Sequence, residues 1–166
     1  MNRRMLLQAA AAVLAVPAGA EWQEVAGRPA LFAAQIRDGA TKGTADYAGS
    51  PVLLHFWASW CASCRTEFPA LDALQRDMAQ DGLRVLAVSV DRLGWPVIER
   101  TAEALGVRSV TLLHDLNREA ARALDIGALP TSLLLDRHGR ELARHAGTLD
   151  WSDPQVRARL RQLCAS

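Results

Sequence analysis

Two cysteines separated by two residues are the part of this sequence best suited to chemistry. Cys61 and Cys64 stand in the motif Trp-Cys-Ala-Ser-Cys at residues 60–64, directly after the apolar run Val52–Trp57. A helical spacing of apolar residues follows, so the pair is predicted at a helix N-terminus. There the unpaired N–H groups and the helix dipole favour a thiolate on Cys61. Cys64, one helical turn further on, can close a disulfide with it, which is the arrangement that dithiol–disulfide exchange needs.

Zinc binding and a purely structural disulfide are the alternatives for this pair. Structural zinc usually takes four ligands, often from two spaced pairs, and the only other cysteine is the solitary Cys164. The four histidines show no finger-type spacing: His55, His114, His138 and His145. A structural disulfide here would close a very short loop and add little stability. The sequence therefore favours redox chemistry, with no metal site and no cofactor.

Length and charge set broad limits on the class of protein. The chain has 166 residues, half of them hydrophobic, which suits one globular domain. The formal net charge is +1 and no basic stripe is evident, so nothing indicates a nucleic-acid partner.

The first twenty residues have the composition of an export signal. A basic start, Asn2-Arg3-Arg4, precedes the apolar run Met5–Val16 and the A-x-A sequence Ala18-Gly19-Ala20. This predicts a signal peptide over residues 1–20, a folded domain over 21–166 and a periplasmic location. The arginine pair partly resembles a twin-arginine signal, although a Sec signal or an uncleaved anchor also fits.

The rest of the chain predicts alternating strands and helices. Residues 21–50 are expected to be an irregular lead-in, with a hairpin as one option and one weak strand candidate over Ala30–Ile36. The elements expected after it, in order, are strand Val52–Trp57, a helix from the cysteines to Asp81, strand Leu83–Val90, a helix from Trp95, strand Val110–Leu113, a brief helix capped by Asn117, a hairpin of Ser132–Leu135 and Glu141–Ala146, and a last helix capped by Ser152 or Asp153. This order predicts an α/β fold, with helices on both faces of one mixed sheet.

Three segments carry a family resemblance. They are residues 56–69 (Phe-Trp-Ala-Ser-Trp-Cys-Ala-Ser-Cys-Arg-Thr-Glu-Phe-Pro), the step Leu129-Pro130-Thr131 and the turn Asp136–Gly139. With them the chain resembles the TlpA/ResA-like family of exported thiol–disulfide oxidoreductases over Ala30–Leu163. The resemblance implies a thioredoxin-like fold, with a strand–helix insertion before the cis-proline hairpin.

The resemblance also implies roles for individual residues. Cys61 would be the attacking thiol and Cys64 the resolving thiol. Pro130 would be a cis-proline beside the cysteines, which leaves the Leu129 backbone free to pair with an extended substrate. Glu67 would be a buried carboxylate with a raised pKa that moves protons during exchange. The alternative for Glu67 is a solvated glutamate favoured near a helix N-terminus.

Four further residues are expected at particular places in this fold. His55 stands where thioredoxins proper carry a buried aspartate, and it is interpreted either as a proton shuttle or as a hydrogen-bonded core side chain. Trp57 is expected in the core, and Trp60 is expected to form a wall of the substrate cleft. Cys164 is expected to be a small buried hydrophobe, with an intermolecular disulfide as the alternative.

The functional expectation is an exported disulfide reductase. Its partners would be protein disulfides, with apocytochrome c and copper-site proteins as candidates, and a membrane thiol carrier as electron donor. One alternative is a Cu(I)-binding metallochaperone, although only Met78 follows the predicted signal. The other is a thiol peroxidase on the same fold, which would need a single peroxidatic cysteine near a threonine and an arginine.

Overall fold

The computed structural model describes residues 22–165, so the predicted signal peptide over 1–20 lies outside the described residues. Eight strands, four α-helices and one 3₁₀ turn make up this part of the chain. In order, they are β1 (Gln23–Pro29), β2 (Ala33–Gln35), β3 (Thr41–Gly43), the 3₁₀ turn (Thr44–Tyr47), β4 (Val52–Trp57), α1 (Ala62–Met78), β5 (Arg84–Ser89), α2 (Trp95–Ala104), β6 (Thr111–His114), α3 (Glu119–Ala123), β7 (Thr131–Leu135), β8 (Arg140–Ala146) and α4 (Pro154–Cys164).

All eight strands belong to one mixed sheet. Their order is β1-β8-β7-β4-β5-β6-β2-β3, with β4, β5 and β6 parallel and β7 antiparallel to both β4 and β8. Every residue of β4 and β7 is buried, so both faces of the sheet centre are covered. The predicted α/β class with a mixed sheet is confirmed, and β6 with α3 forms the predicted strand–helix segment before the final hairpin.

The N-terminal lead-in is more regular than its sequence indicates. Strand β1 pairs antiparallel with β8 at one sheet edge, and β2 with β3 forms a hairpin at the other. The expected weak strand over Ala30–Ile36 is only three residues long, and β1 was not predicted. Strand β1 is mostly exposed and contains Gly27 and Pro29, so it lacks the alternating apolar pattern that reveals a strand.

Helix α1 carries the cysteines and anchors them to the core. Its side chains Phe68, Leu71, Leu74 and Met78 are fully buried, as their spacing predicts. The buried Asp72 carboxylate accepts hydrogen bonds from three successive backbone N–H groups at residues 108–110, just before β6. These contacts fix α1 against the sheet along its length.

The start of α3 differs from the prediction. Asn117 does not cap it; the N-cap position belongs to Arg118, which has a left-handed φ of 56°. The Asp115 carboxylate instead accepts from the N–H groups of Ala120 and Ala121, at 3.2 and 2.8 Å. Asp115, two residues before Asn117, thus accepts the hydrogen bonds from the first N–H groups of α3 that Asn117 was expected to accept.

None of the helices within residues 22–165 is long and apolar enough to cross a membrane.

Candidate active site

The two cysteines form a disulfide at the carboxyl end of the central strand β4. Cys61 is the N-cap residue of α1, and its Sγ accepts a hydrogen bond from the Cys64 backbone N–H at 3.3 Å. Cys61 keeps 7% of its surface exposed, whereas Cys64 has none, as predicted for an attacking and a resolving thiol. When the disulfide is reduced, the N–H of Cys64 and the helix dipole favour the thiolate of Cys61.

A buried aspartate holds the loop that delivers Cys61. The Asp91 carboxylate, just after β5, accepts from the backbone N–H of Ser59 at 2.9 Å and from its hydroxyl at 2.6 Å. The Ser89 hydroxyl donates to the same carboxylate at 2.7 Å. The Asp91 carbonyl is hydrogen-bonded to the ring of His114 at the end of β6. These contacts tie the loops after β4 and β5 to the end of β6, and no sequence pattern indicated them.

The proline loop lies at the same edge of the sheet as the cysteines. Thr131, the first residue of β7, pairs with Phe56 near the end of β4, so the preceding Pro130 lies at the edge from which Cys61 emerges. The Leu129–Pro130 peptide bond is cis, as the resemblance implied. Within residues 22–165 no hydrogen bond engages the backbone of Leu129, whereas the carbonyl of Pro130 accepts from the N–H of Gly147.

Three large apolar side chains are exposed along this edge. Trp60 follows β4, Leu93 follows β5 and Leu116 follows β6, with 68%, 78% and 49% of their surfaces exposed. Because these strands are parallel neighbours, their carboxyl ends meet at one edge of the sheet. Trp60 was predicted as a cleft wall. Leu93 and Leu116 were missed, since only the strand order shows that they lie at the same sheet edge as the disulfide.

The fourth exposed large apolar side chain in the described chain lies elsewhere. Leu31 follows Ala30, whose N–H donates to the carbonyl of Gly139 in the β7–β8 turn. Strand β7 ends opposite Val52, the first residue of β4. Leu31 is therefore at the amino end of β4, on the edge opposite the disulfide.

Glu67 lies one helical turn after Cys64 and is buried. One carboxylate oxygen, Oε1, accepts a short hydrogen bond from the backbone N–H of Leu149. Burial raises the pKa of Glu67 to about 7, although this hydrogen bond and the nearby Trp151 indole each lower that pKa in part. The indole N–H itself does not reach hydrogen-bonding geometry. The alternative of a solvated surface glutamate is wrong. A buried carboxyl that titrates near neutral pH is suited to proton transfer.

His55, on the central strand β4, lies next to Glu67 of helix α1. Its Nδ1 is 3.0 Å from the hydroxyl of Ser132, and its Nε2 is 3.8 Å from Oε2 of Glu67. Burial lowers the pKa of His55 to about 3, so its imidazole is neutral at physiological pH. His55 is thus the hydrogen-bonded core side chain that one of the two interpretations described.

Cys164 has no partner cysteine and is buried at the end of α4. Burial raises the pKa of its thiol to about 11. It is a small buried hydrophobe, as expected, and at neutral pH it is a poor nucleophile.

Residues 22–165 contain no cluster of three or more histidine, cysteine, aspartate or glutamate side chains arranged to hold a metal ion. Soft ligands for Cu(I) would have to come from the reduced pair Cys61 and Cys64 alone.

Known proteins are similar to this chain in sequence and in fold. Residues 26–140 match the AhpC/TSA family. The chain is 33% identical over 110 residues to the thiol-disulfide oxidoreductase ResA of Geobacillus thermodenitrificans, covering 65% of this chain and 61% of that protein. It is 35% identical over 107 residues to the thiol:disulfide interchange protein DsbE of Xylella fastidiosa, covering 63% and 51%. The chain thus spans about half to three-fifths of the length of these curated relatives.

A solved structure extends the likeness to nearly the whole fold. The structure described as a thiol:disulfide interchange protein DsbE from Chlorobium tepidum superposes with a TM-score of 0.70 at 30% identity, covering 82% of this chain and 93% of that one. The thioredoxin-like fold is therefore confirmed, together with the resemblance to ResA-like proteins. The match over residues 26–140 places the chain in the AhpC/TSA family.

Proposed function

We propose that the protein is a thiol–disulfide oxidoreductase that acts through Cys61 and Cys64. The observation that carries the proposal is the disulfide between a helix-capping, partly exposed Cys61 and a fully buried Cys64. A disulfide placed only for stability has no need of an accessible sulfur at a helix N-terminus, whereas an exchange reaction requires one. The names of the ResA and DsbE relatives support the same chemistry.

The exchange proceeds in two steps that balance. The Cys61 thiolate attacks one sulfur of a substrate disulfide, which forms a mixed disulfide and releases the other substrate sulfur as a thiolate. Cys64 then loses its proton and attacks Cys61. The Cys61–Cys64 bond forms, the bond to the substrate breaks, and the second substrate sulfur leaves with the electron pair. Two substrate thiols are produced and one protein disulfide is formed.

Glu67 is the proposed proton acceptor for Cys64. Cys64 is fully buried, so water cannot readily take its proton, and Glu67 lies one turn further along the same helix. A carboxyl with a pKa of about 7 is ionised in a substantial fraction of molecules at neutral pH, and it binds a proton strongly enough to receive one from a thiol.

The substrates are proposed to be protein disulfides, bound across the edge that carries Cys61. Trp60 and the loop of Leu129 and Pro130 form the surface on either side of the disulfide, and the unpaired Leu129 backbone can join an extended substrate segment. The exposed Leu93 and Leu116 continue this surface over two further strand ends. Strand ends are about 5 Å apart, so a substrate of only a few residues would reach them.

Replacing both Leu93 and Leu116 with serine is expected to affect protein substrates selectively. Loss of two apolar contacts should lower kcat/KM for insulin disulfides about tenfold. The exchange rate with oxidised glutathione, which has no apolar side chain to pack against these leucines, should stay unchanged. Leu31→Ser, on the opposite edge, is the matched control. An equal loss for insulin and glutathione, or in the Leu31 variant, would remove the support for this docking surface.

The direction and location of the reaction are also proposals. Reduction of disulfides is favoured over oxidation, since the family that the chain resembles mostly reduces. Apocytochrome c and copper-site proteins are the proposed substrates, a membrane thiol carrier is the proposed electron donor, and the periplasm, reached through the signal over residues 1–20, is the proposed location. The signal rests on the sequence pattern alone.

Insulin reduction tests the proposed function against its rivals. With dithiothreitol as donor, the protein should accelerate the precipitation of reduced insulin, whereas a variant lacking both cysteines of the pair should not. Hydrogen peroxide consumed faster than insulin is reduced would instead favour a thiol peroxidase. Stoichiometric Cu(I) binding by the dithiol, with no acceleration of insulin reduction, would favour a metallochaperone.

A further inference from the structure

Two buried polar atoms behind the disulfide face each other without any other partner. Nε2 of His55 and Oε2 of Glu67 are both inaccessible to solvent, neither makes a hydrogen bond within the described chain, and 3.8 Å separates them. Buried polar atoms are rarely left unpaired in native proteins, because each one has given up its hydrogen bonds to water. A shift of less than 1 Å would bring this pair to hydrogen-bonding distance and would satisfy both atoms.

We propose that His55 is a positioning residue whose Nε2–H donates to the Glu67 carboxylate and thereby keeps Glu67 ionised until it takes the proton of Cys64. The inference rests on the proposed thiol–disulfide exchange and deepens it. His55 stands at the strand position where thioredoxins proper carry a buried aspartate.

The hydrogen bond at Nδ1, the other ring nitrogen of His55, sets the orientation of the imidazole. Oγ of Ser132, on the neighbouring strand β7, is 3.0 Å from Nδ1 of His55. When this hydroxyl donates to Nδ1, the ring proton is on Nε2 and points towards Glu67. The rings of Phe68 and Trp151 pack edge-on against the imidazole at centroid distances of 5.9 and 6.1 Å, which restricts its rotation.

No other ionic partner in the described chain competes with His55 for this carboxylate. The groups that face Glu67 are Cys64 on its own helix, His55 on β4, and the Leu149 N–H and Trp151 indole from the segment before α4. Within residues 22–165 Glu67 forms no salt bridge with a lysine or an arginine. Burial lowers the pKa of His55 and raises that of Glu67, so near neutral pH His55 is neutral and Glu67 is the member of the pair that gains or loses a proton.

The pair acts in the second step of exchange. The proton of Cys64 moves to the Glu67 carboxylate, and the resulting thiolate attacks the Cys61 sulfur of the mixed disulfide. The bond from Cys61 to the substrate breaks, and the substrate thiolate leaves and takes a proton from water. Before the transfer, the His55 N–H stabilises the negative charge of Glu67. After it, Glu67 and His55 are both neutral, so no net charge remains on the pair.

The test is the pH dependence of the second step. Reduced protein mixed with excess Ellman's reagent releases one coloured thiol when Cys61 is modified and a second when Cys64 resolves the adduct. For His55→Phe, which keeps an aromatic ring and removes both nitrogens, the pH midpoint of the second phase should rise by about one unit. Below the midpoint, the second phase of His55→Phe should therefore be roughly tenfold slower than that of the wild-type protein. His55→Gln, which retains a donor, should recover part of the loss.

The Glu67→Gln background separates positioning from packing. There His55→Phe should leave the remaining pH dependence unchanged, and His138→Phe, on the exposed β7–β8 turn, should change nothing in either background. An unshifted midpoint, or the same shift with Glu67 removed, would overturn the inference.

A second measurement needs no variant. ¹⁵N NMR of the wild-type protein should show His55 as the Nε2–H tautomer, and an Nδ1–H tautomer would overturn the inference. Absence of both coloured phases in the wild-type protein would instead overturn the proposed thiol–disulfide exchange.

Discussion

Replacing Cys64 with serine is expected to turn the protein into a covalent trap for its substrates. Cys61 can still attack a substrate disulfide, but without the second thiol the mixed disulfide cannot be resolved from within. Turnover of insulin should fall about a thousandfold or more, while a Cys61-linked adduct accumulates that mass spectrometry detects and dithiothreitol removes. Cys61→Ser should lose turnover equally and form no adduct, because the remaining thiol is fully buried.

The matched control is Cys164→Ser, which removes the other thiol and leaves the pair intact. It should neither slow turnover nor form an adduct. If the adduct formed in Cys61→Ser and not in Cys64→Ser, the assigned roles of the two cysteines would be reversed. If no variant formed an adduct with any protein disulfide, the exchange mechanism would be wrong.

Glu67→Gln is expected to remove a pH dependence of stability. In the folded, oxidised protein the pKa of Glu67 is raised to about 7 from an ordinary value of 4.5. The folded state therefore binds this proton more tightly than the unfolded state does. The contribution is fully present below about pH 4.5 and is lost as the pH rises to about 7, in total about 3 kcal/mol of unfolding free energy.

Glutamine resembles the protonated carboxyl and does not titrate. The variant should match the wild-type protein in stability near pH 4 and exceed it by about 3 kcal/mol at pH 8, as measured by urea unfolding at each pH. Glu103→Gln, at an exposed position of α2, controls for the loss of one carboxylate. A constant difference between wild type and Glu67→Gln across this range would mean that Glu67 is not held in a desolvated site.

The central part of the fold was predictable because its sequence patterns are strong. Strand β4 was predicted with its actual bounds, Val52–Trp57, since a continuous apolar run between turn signals indicates a strand covered on both faces. Strand β1 was missed because it is mostly exposed and is held by backbone pairing with β8, which leaves no periodic apolar pattern. The cap of α3 was misassigned because Asp115 reaches it from outside the usual capping position.

The candidate site shows the same division between local and long-range information. Cys61, Cys64 and Glu67 lie within seven residues of each other on one helix start, so their spacing alone brings them together. Ser132 meets His55 only because β7 inserts next to β4, 77 positions away in the chain. Leu93 and Leu116 likewise join Trp60 only through the parallel order of β4, β5 and β6. Such contacts depend on strand order, which a single sequence does not encode as a local pattern.

The most direct test of the account is a single-turnover electron count. Fully reduced protein is mixed with insulin in the absence of any other thiol, quenched with acid and alkylated, and both proteins are analysed by mass spectrometry. We expect one Cys61–Cys64 disulfide to form for each insulin disulfide reduced, with the Cys164 thiol still free. Insulin that stays oxidised, or a protein that loses its thiols without reducing insulin, would contradict it.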